Sequence, residues 1–597
     1  MSPVSRLCEA INVYRQALET PRCERFEAVR QYAGDHWSEE TAGEKIHINL
    51  LSLYVDIVLR NLIAKTPRVM LSTLKMQEKP VVAAMQDWAN THFEKMRLAS
   101  SLQRIALDAL FSVGIAKVGL IDPARSAAAN WRLAPGEASV QRVDLDDFVF
   151  DMNARDFAEA SFIGHRYRVP LEVAKDFYKK TGKELTASEG RSYNTQGDER
   201  IDVLGRGYYG ADEYIEMVDL WEIWCPQYGV IHTLSEDSLT GATSLSNGTE
   251  PKALAEEDWI GHDSGPYKFL GLMTVPGNAM PKGPIQNLIN MHRSANRVLS
   301  KLIWSAENFK DVTILPKGAE ADWERIKTAM HGGVGFMDRA DQAKQIAMNR
   351  PDPMLLQFFI QLKEIFSWMA GNLDIMGGLS PQSKTARQDT MLNENSTRGI
   401  ADMQDRMVTF ASEVTESLLW YAWHDPKLIM NAPYSPQGLP DIQIPRALGP
   451  WNAENPRMMK RTGAFEDMQI KIDPYSLPHS TPQKRAQDLI QVVTKLYFPY
   501  AQIAMQQGIT LDFNTFLEKL GVYLDMPDLK EIMKMAQPLQ SPETIDMGQS
   551  PAEDTTHTRE NVPMRTNRGD SMNAMNALAG IDTGGASQPE PSMNGAY

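Results

Sequence analysis

PKGPIQNLINMHRSANRVLSKLIWSAENF, residues 281–309, keeps a single helical stripe for almost its whole length. Ile285, Leu288, Ile289, His292, Ala295, Asn296, Leu299, Leu302, Ile303 and Ala306 recur three and four residues apart, the spacing that gathers side chains on one face of a helix. Pro284 stands near the first turn, where helices tolerate a missing N–H. The spacing predicts a rod over 284–309 of about 25 residues, roughly 38 Å long. His292 on its apolar face reads as a core or interface histidine rather than a ligand.

Working outward toward the C-terminus, KDVTILPKG, EADWERIKTAM, GGVGFMDRA and KQIAM (310–348) spell a strand–helix–strand–strand unit. About 40 residues bury little core alone, so this unit is expected to lean on copies of itself. A second rod of similar length follows at once, with Pro353 at its start. Leu355, Leu356, Phe358, Phe359, Leu362, Ile365, Phe366, Met369 and Leu373 form its stripe, and Gly377–Gly378 mark its end.

The loop behind that rod, GGLSPQSKT (377–385), comes within one residue of G-x-x-x-x-G-K-[ST], with Ser383 where the second glycine belongs. A phosphate cradle uses glycines to wrap backbone N–H groups around the anion, and it joins a strand to a helix. This segment follows a helix, contains Pro381 and lacks the glycine before Lys384. It reads as a polar hinge in which Ser383, Lys384 and Arg387 meet an anion intermittently. A nucleotide-dependent enzyme with Lys384 as its phosphate lysine is the alternative.

From about Thr385 to His424 a very long helix is expected, on Ile400, Met403, Met407, Ala411, Val414 and Leu418. Strands are read at 441–446 and 466–473, and helices at about 482–506 and 512–536. Beyond Gln540 the composition is that of a tail too poor in apolar residues to order itself.

Toward the N-terminus the texture differs. Residues 1–110 read mostly as helices, at 49–65, 79–96 and 98–112, with RVMLSTL (68–74) as a strand. Strands at 117–122, 161–170, 213–226 and 229–235 make a mostly antiparallel module interrupted by a helix at 171–182. Residues 185–212 and 236–265 read as long loops.

The formal charge is −15, from 61 Lys+Arg against 76 Asp+Glu. Such a chain is ill suited to tight, sequence-blind duplex binding, which needs clustered cations, yet it suits DNA that slides past without sticking. Cys8, Cys23 and Cys225 are too few and scattered for a disulfide framework or a zinc site. No stretch of about 18 uncharged apolar residues exists, and the N-terminus does not read as a signal peptide. A soluble, cytosol-made protein with no membrane association and no cofactor is expected.

No H-E-x-x-H, G-x-S-x-G or paired C-x-x-C occurs, so no catalytic and no metal-ligating set is assigned. VDLDDFVFDMNARD (143–156) carries Asp144, Asp146, Asp147, Asp151 and Asp156. It lacks the spacing and glycine of a calcium loop and reads as a strand edge with solvated acids, with an oxygen-ligand ion site at Asp144–Asp151 as the alternative. On the first rod Arg293, Arg297 and Lys301 recur every four residues as a cationic ridge. A solvated face or intersubunit ion pairs explain it at least as well as contact with DNA.

The order of parts, together with the DALFSVGIAKVGLI helix-to-strand step and the SKTARQ entry to the long helix, resembles the portal (head-to-tail connector) proteins of tailed bacteriophages, in a podovirus-like form. The resemblance covers roughly residues 1–540 and rests on architecture, since no single motif is diagnostic. It implies an α+β, mainly helical portal fold. Residues 1–283 would be the wing, 284–309 and 351–376 the stem helices, 310–350 the clip and 377–388 the tunnel loop. Residues 389–480 would hold the long helix and returning wing strands, 481–540 the crown helices and 541–597 a flexible tail.

It further implies a ring of about twelve copies at one capsid vertex of the virion, through which double-stranded DNA is packaged and ejected. The major capsid protein, terminase and a tail adaptor are the implied partners, with Trp323, Arg325 and Lys327 of the clip as contacts. Two features depart from the family: the 377–388 loop is short, and the C-terminal region has no obvious crown barrel pattern. Twelve copies at −15 each carry −180 formal charges, which repel phosphates along a channel. Another virion structural or scaffold-like protein is the remaining alternative.

Overall fold

The computed structural model describes residues 3–34, 48–121, 133–178, 185–187, 216–243, 252–314, 344–348, 350–373, 386–434, 444–451 and 458–472. All of them fall in one compact unit, Met1–Ile503. The helices expected at 482–506 and 512–536 and the tail lie outside the described residues.

Helices α1 (Pro3–Ala17), α2 (Glu19–Ala33) and α3 (Leu50–Leu62) open the chain. Asn49 starts α3 by accepting the Ser52 N–H at 2.9 Å, the usual satisfaction of an orphan donor at a helix start. Strand β1 (Val69–Ser72) precedes α4 (Lys79–Lys95) and α5 (Leu98–Phe111). Then come β2 (Gly114–Leu120), β3 (Ala138–Val143), β4 (Phe148–Phe150), β5 (Ile163–Pro170), α6 (Leu171–Phe177), β6 (Met217–Cys225), β7 (Val230–Ser235), α7 (Glu236–Thr243), β8 (Ala255–Asp258) and β9 (Tyr267–Leu270).

The strands form a five-stranded antiparallel sheet in the order β4-β5-β6-β7-β8 and a three-stranded one in the order β3-β2-β9. The expected loop over 236–265 is corrected, since α7 and β8 lie within it. Eight residues are too short a helix to show a period in sequence. Tertiary contacts hold it instead: the Glu236 carboxylate accepts from Trp221 Nε1 and, at 2.9 Å, from Arg15.

A hairpin of β10 (Met273–Val275) and β11 (Asn278–Lys282) leads into α8 (Ile285–Glu307). Gly283 permits this entry, because a Cβ there would sit 2.3 Å from the Phe111 carbonyl carbon at the end of α5. Strands β12 (Lys310–Ile314) and β13 (Lys344–Met348) pair antiparallel, Lys310 opposite Met348 and Ile314 opposite Lys344. Helix α9 (Pro353–Met369) returns alongside α8.

The rods are therefore unequal, 23 residues against 17, or about 35 Å against about 26 Å. The expected end at Gly377 is corrected to Met369. Gly371 and Asn372 take positive φ values of 87° and 64°, and Asn372 N–H donates to Ser367 O at 2.7 Å. This left-handed closure satisfies the last carbonyls and stops the helix.

Helix α10 (Ala386–His424) has 39 residues, about 58 Å, and crosses β2, β3 and β9. After it come β14 (Met430–Tyr434), β15 (Ile444–Gly449), β16 (Met459–Lys460) and β17 (Gln469–Ile472). β17 pairs antiparallel with β1, Val69 opposite Ile472, and so ties the last described strand back to the N-terminal helical part.

One apolar core joins α3, α4 and α5 to the inner ends of α8 and α9 and the C-terminal half of α10. A second gathers α1 against β4–β7. Among the described residues no helix is long and apolar enough to cross a membrane.

Candidate functional site

The two rods divide into inner and outer parts. Along α8 the inner residues Ile285, Leu288, Ile289, His292, Ala295 and Asn296 are buried, whereas Arg297, Lys301 and Trp304 are exposed. His292 is fully buried, and Asn296 Nδ2 lies 3.2 Å from its Nε2. Asn296 also accepts the Ile48 N–H at 2.9 Å. His292 is thus part of the core, in line with its reading as a structural histidine.

On α9 only Leu362, Phe366 and Ser367 are buried. Met354, Leu356, Phe358, Ile360, Ile365 and Trp368 are exposed, from 43% for Ile365 to 72% for Trp368. An exposed run of that size on a single element is far beyond the scattered apolar residues of an ordinary surface.

The predicted cationic ridge is only partly free. Arg293 forms an ion pair with Glu27 of α2, and burial lowers its pKa, with Arg297 adding to the fall. Arg297 and Lys301 point outward. Arg387 falls in the first turn of α10, which begins at Ala386, so the expected loop over 377–388 is shortened at its end. The Arg387 side chain, Ser383 and Lys384 lie outside the described residues, as do Trp323, Arg325 and Lys327.

The aspartates at 143–156 require a correction. Asp144 and Asp147 are buried, not solvated. Asp144 accepts from Arg25 at 2.6 Å and from Arg142 at 3.1 Å, while Arg166 reaches Asp147 at 2.8 Å. Arg142 also holds Asp108 through two hydrogen bonds, and that bonding pushes its pKa further up. Arg22 adds donors to the carbonyls of Leu145 (3.2 Å) and Phe148 (2.9 Å).

Buried carboxylates of this kind are matched by guanidinium forks, so the cluster clasps α2 to the sheet. Asp151 instead accepts from Ser161 Oγ at 2.6 Å, and Asp156 caps a short turn through the Ala158 N–H. Among the described residues no group of three or more His, Cys, Asp or Glu is placed to hold a metal ion.

Two cations escape a reading of the sequence. Arg461, 2% exposed, donates to the carbonyls of Trp423 and Asp425 at 2.8 and 2.9 Å and also to Leu428. It closes the C-terminus of α10, where carbonyls and the helix dipole favour a cation. Lys268 on β9, 4% exposed, donates to Gly265 O at 3.1 Å and to Ser264 Oγ.

Burial lowers the Lys268 pKa to about 8, against the opposing pull of Glu413 and Glu416 on α10. It lines an open cleft of about 670 Å³ with those two carboxylates and His262. The Lys268 ammonium is spent on the 264–265 turn, which it fastens to β9. Neither residue carries a motif: the carbonyls that Arg461 binds lie 33–39 residues away, and Lys268 binds a turn only three and four residues before it.

No protein-family model matches this chain, and no curated protein matches it.

Proposed function

We propose that the chain is a portal protein of a tailed bacteriophage, podovirus-like: a non-enzymatic ring of about twelve copies at a capsid vertex. Double-stranded DNA passes through its channel during packaging and ejection. The ring seats in the major capsid protein and docks terminase and then a tail adaptor through the segment between β12 and β13.

The observation that carries this reading is the pair α8 and α9. They run antiparallel, are joined by the β12–β13 ladder, and leave Met354, Leu356, Phe358, Ile360 and Trp368 uncovered. Apolar surface of that kind is stable in water only when another surface covers it. Side-by-side copies of the same projecting pair cover one another and enclose a hole, and repeated head-to-tail contacts close into a ring.

The charge of −15 per chain supports a conduit that repels phosphates. Weak, passing contacts from exposed cations such as Arg297 and Lys301 let DNA slide without stalling.

Native mass spectrometry and negative-stain imaging of the full chain test this reading. A ring of about twelve with a central hole is expected. A monomer at every salt and protein concentration overturns it.

A further inference from the structure

Resting on that ring reading, we infer that each copy grips the next through a knob and a socket built at opposite ends of α4. The knob is the turn before the helix. Leu74 and Met76 are 89% and 78% exposed there, among the most exposed large apolar side chains of the described residues.

This turn is held in place rather than loose. Lys75 forms an ion pair with Asp467, next to β17, and Thr73 Oγ1 donates to Glu78 at 3.3 Å. A fixed turn that presents two apolar side chains to water gains their burial in full if a partner receives them, with little ordering left to do.

The socket lies at the other end of the same helix. A cavity of about 450 Å³ is walled by Trp88, His92, Trp420, Tyr421 and Leu428, within the range of about 300–1,000 Å³ over which pockets enclose a bound group. Its walls are fixed: His92 stacks on Trp88 with ring centroids 4.8 Å apart, and its Nε2 lies 3.0 Å from Ala138 O. Tyr421 Oη donates to Ile260 O at 3.3 Å. Leu120 and Ile260 line the cavity and are themselves 52% and 75% exposed, so this end also carries apolar surface that nothing among the described residues covers.

The seventeen residues of α4 set the two features about 25 Å apart. They are different surfaces on one molecule, so the contact pairs unlike patches. Passed from copy to copy it runs head to tail and covers both patches on every member of a ring, whereas the same two contacts made reciprocally would stop at a two-fold dimer. The charges agree with this seating. Lys79 is exposed beside the knob and is the cation left over there, since Lys75 is held by Asp467 and Glu78. The socket carries Glu137 and Asp425 against the single Lys95, which Glu137 already holds at 2.9 Å through both carboxylate oxygens.

The test uses two full-length chains, co-expressed, each with the exposed Cys23 changed to Ser. One carries Leu74→Cys and the other Ile260→Cys with a mass tag. Both new cysteines are at exposed positions, and the remaining Cys8 and Cys225 are buried. Under mild oxidation a covalent pair of one chain of each kind is expected, in excess of either like-with-like pair. The double variant Leu74→Asp/Met76→Asp should raise the protein concentration needed for assembly at least tenfold.

Rings that form without the mixed disulfide overturn the knob and socket and leave the ring reading standing. Predominant Leu74→Cys pairing with itself, or mixed pairs that assemble no further than dimers, overturns the head-to-tail seating. Absence of both rings and cross-link overturns the two readings together.

Discussion

The inner and outer halves of the paired rods are made from the same sequence pattern and do different work. In the inner half Leu288, Ile289, Leu362 and Phe366 are buried in one core, where α8 packs on α3, α5 and α9. In the outer half Leu356, Phe358, Ile360 and Trp304 meet water, as do Ile365 and Trp368, turned away from Leu362 and Phe366 on α9. Apolar periodicity marks a face; it does not say which chain covers it. The difference teaches that one helix carries both residues that stabilise the single chain and, a few turns apart, apolar residues that this chain leaves uncovered.

Two substitutions of the same type on α9 break that comparison most sharply. Phe366→Ala removes a side chain that is 1% exposed and should cost about 3–5 kcal/mol, as ring-to-methyl truncations in a core do. Phe358→Ala, at a position 48% exposed, should change the unfolding free energy of the monomer by less than about 0.5 kcal/mol while weakening assembly. Urea denaturation alongside mass photometry reads both. A large stability loss at Phe358, with assembly intact, removes the distinction between the halves.

Next in size is the clasp between α2 and the sheet. Asp144→Ala removes the carboxylate that Arg25 and Arg142 share, leaving Arg25 with Asp146 at 3.4 Å and Arg142 with Asp108. Neither charge is left alone, so the loss expected from urea denaturation at neutral pH is that of hydrogen bonds to a charged group, about 1.5–3 kcal/mol. Asp144→Asn keeps the shape and the acceptor and should recover part of it. An unaltered midpoint for Asp144→Ala means the arginines find water instead.

What the sequence makes legible follows from the range of the forces involved. The rods, α3, α4, α5 and most strands can be read because their periods are local. The end of α9 cannot, because Gly371 and Asn372 stop the helix before the more conspicuous Gly377–Gly378. The aspartates at 144–147 read as solvated because Arg25 and Arg166 stand more than a hundred and about twenty residues away in sequence. Arg461 and Lys268 give no signal at all: a cation bound to carbonyls looks in sequence like any other surface charge.

Lys268 yields a pH test of moderate size. Its folded pKa of about 8 lies below the ordinary lysine value of 10.5, so between those values the unfolded chain binds more protons. Stability must then rise with pH across that window. From pH 7 to 9.5 the wild type should gain about 2 kcal/mol relative to Lys268→Met, at about 1.36 kcal/mol per pKa unit. Parallel urea denaturation series of the two proteins decide it; curves that stay parallel across this range show that Lys268 titrates normally.

The smallest effects separate the members of the cationic ridge. Arg293 and Glu27 are each about one-third exposed, and ion pairs of that kind contribute about 0–1 kcal/mol. Arg293→Ala should therefore lower the unfolding free energy by less than about 1 kcal/mol, and Arg297→Ala by nothing measurable. For DNA the order reverses. Arg293 is already engaged within its own chain, whereas Arg297 and Lys301 face outward on the half of α8 that leaves the body. If that half lines the channel, Arg297→Ala should reduce the slope of log affinity against log salt by about 0.9 for each phosphate that the ring no longer neutralises, and Arg293→Ala should leave it unchanged. Equal slopes for wild type and both variants place the outer ridge away from any DNA path.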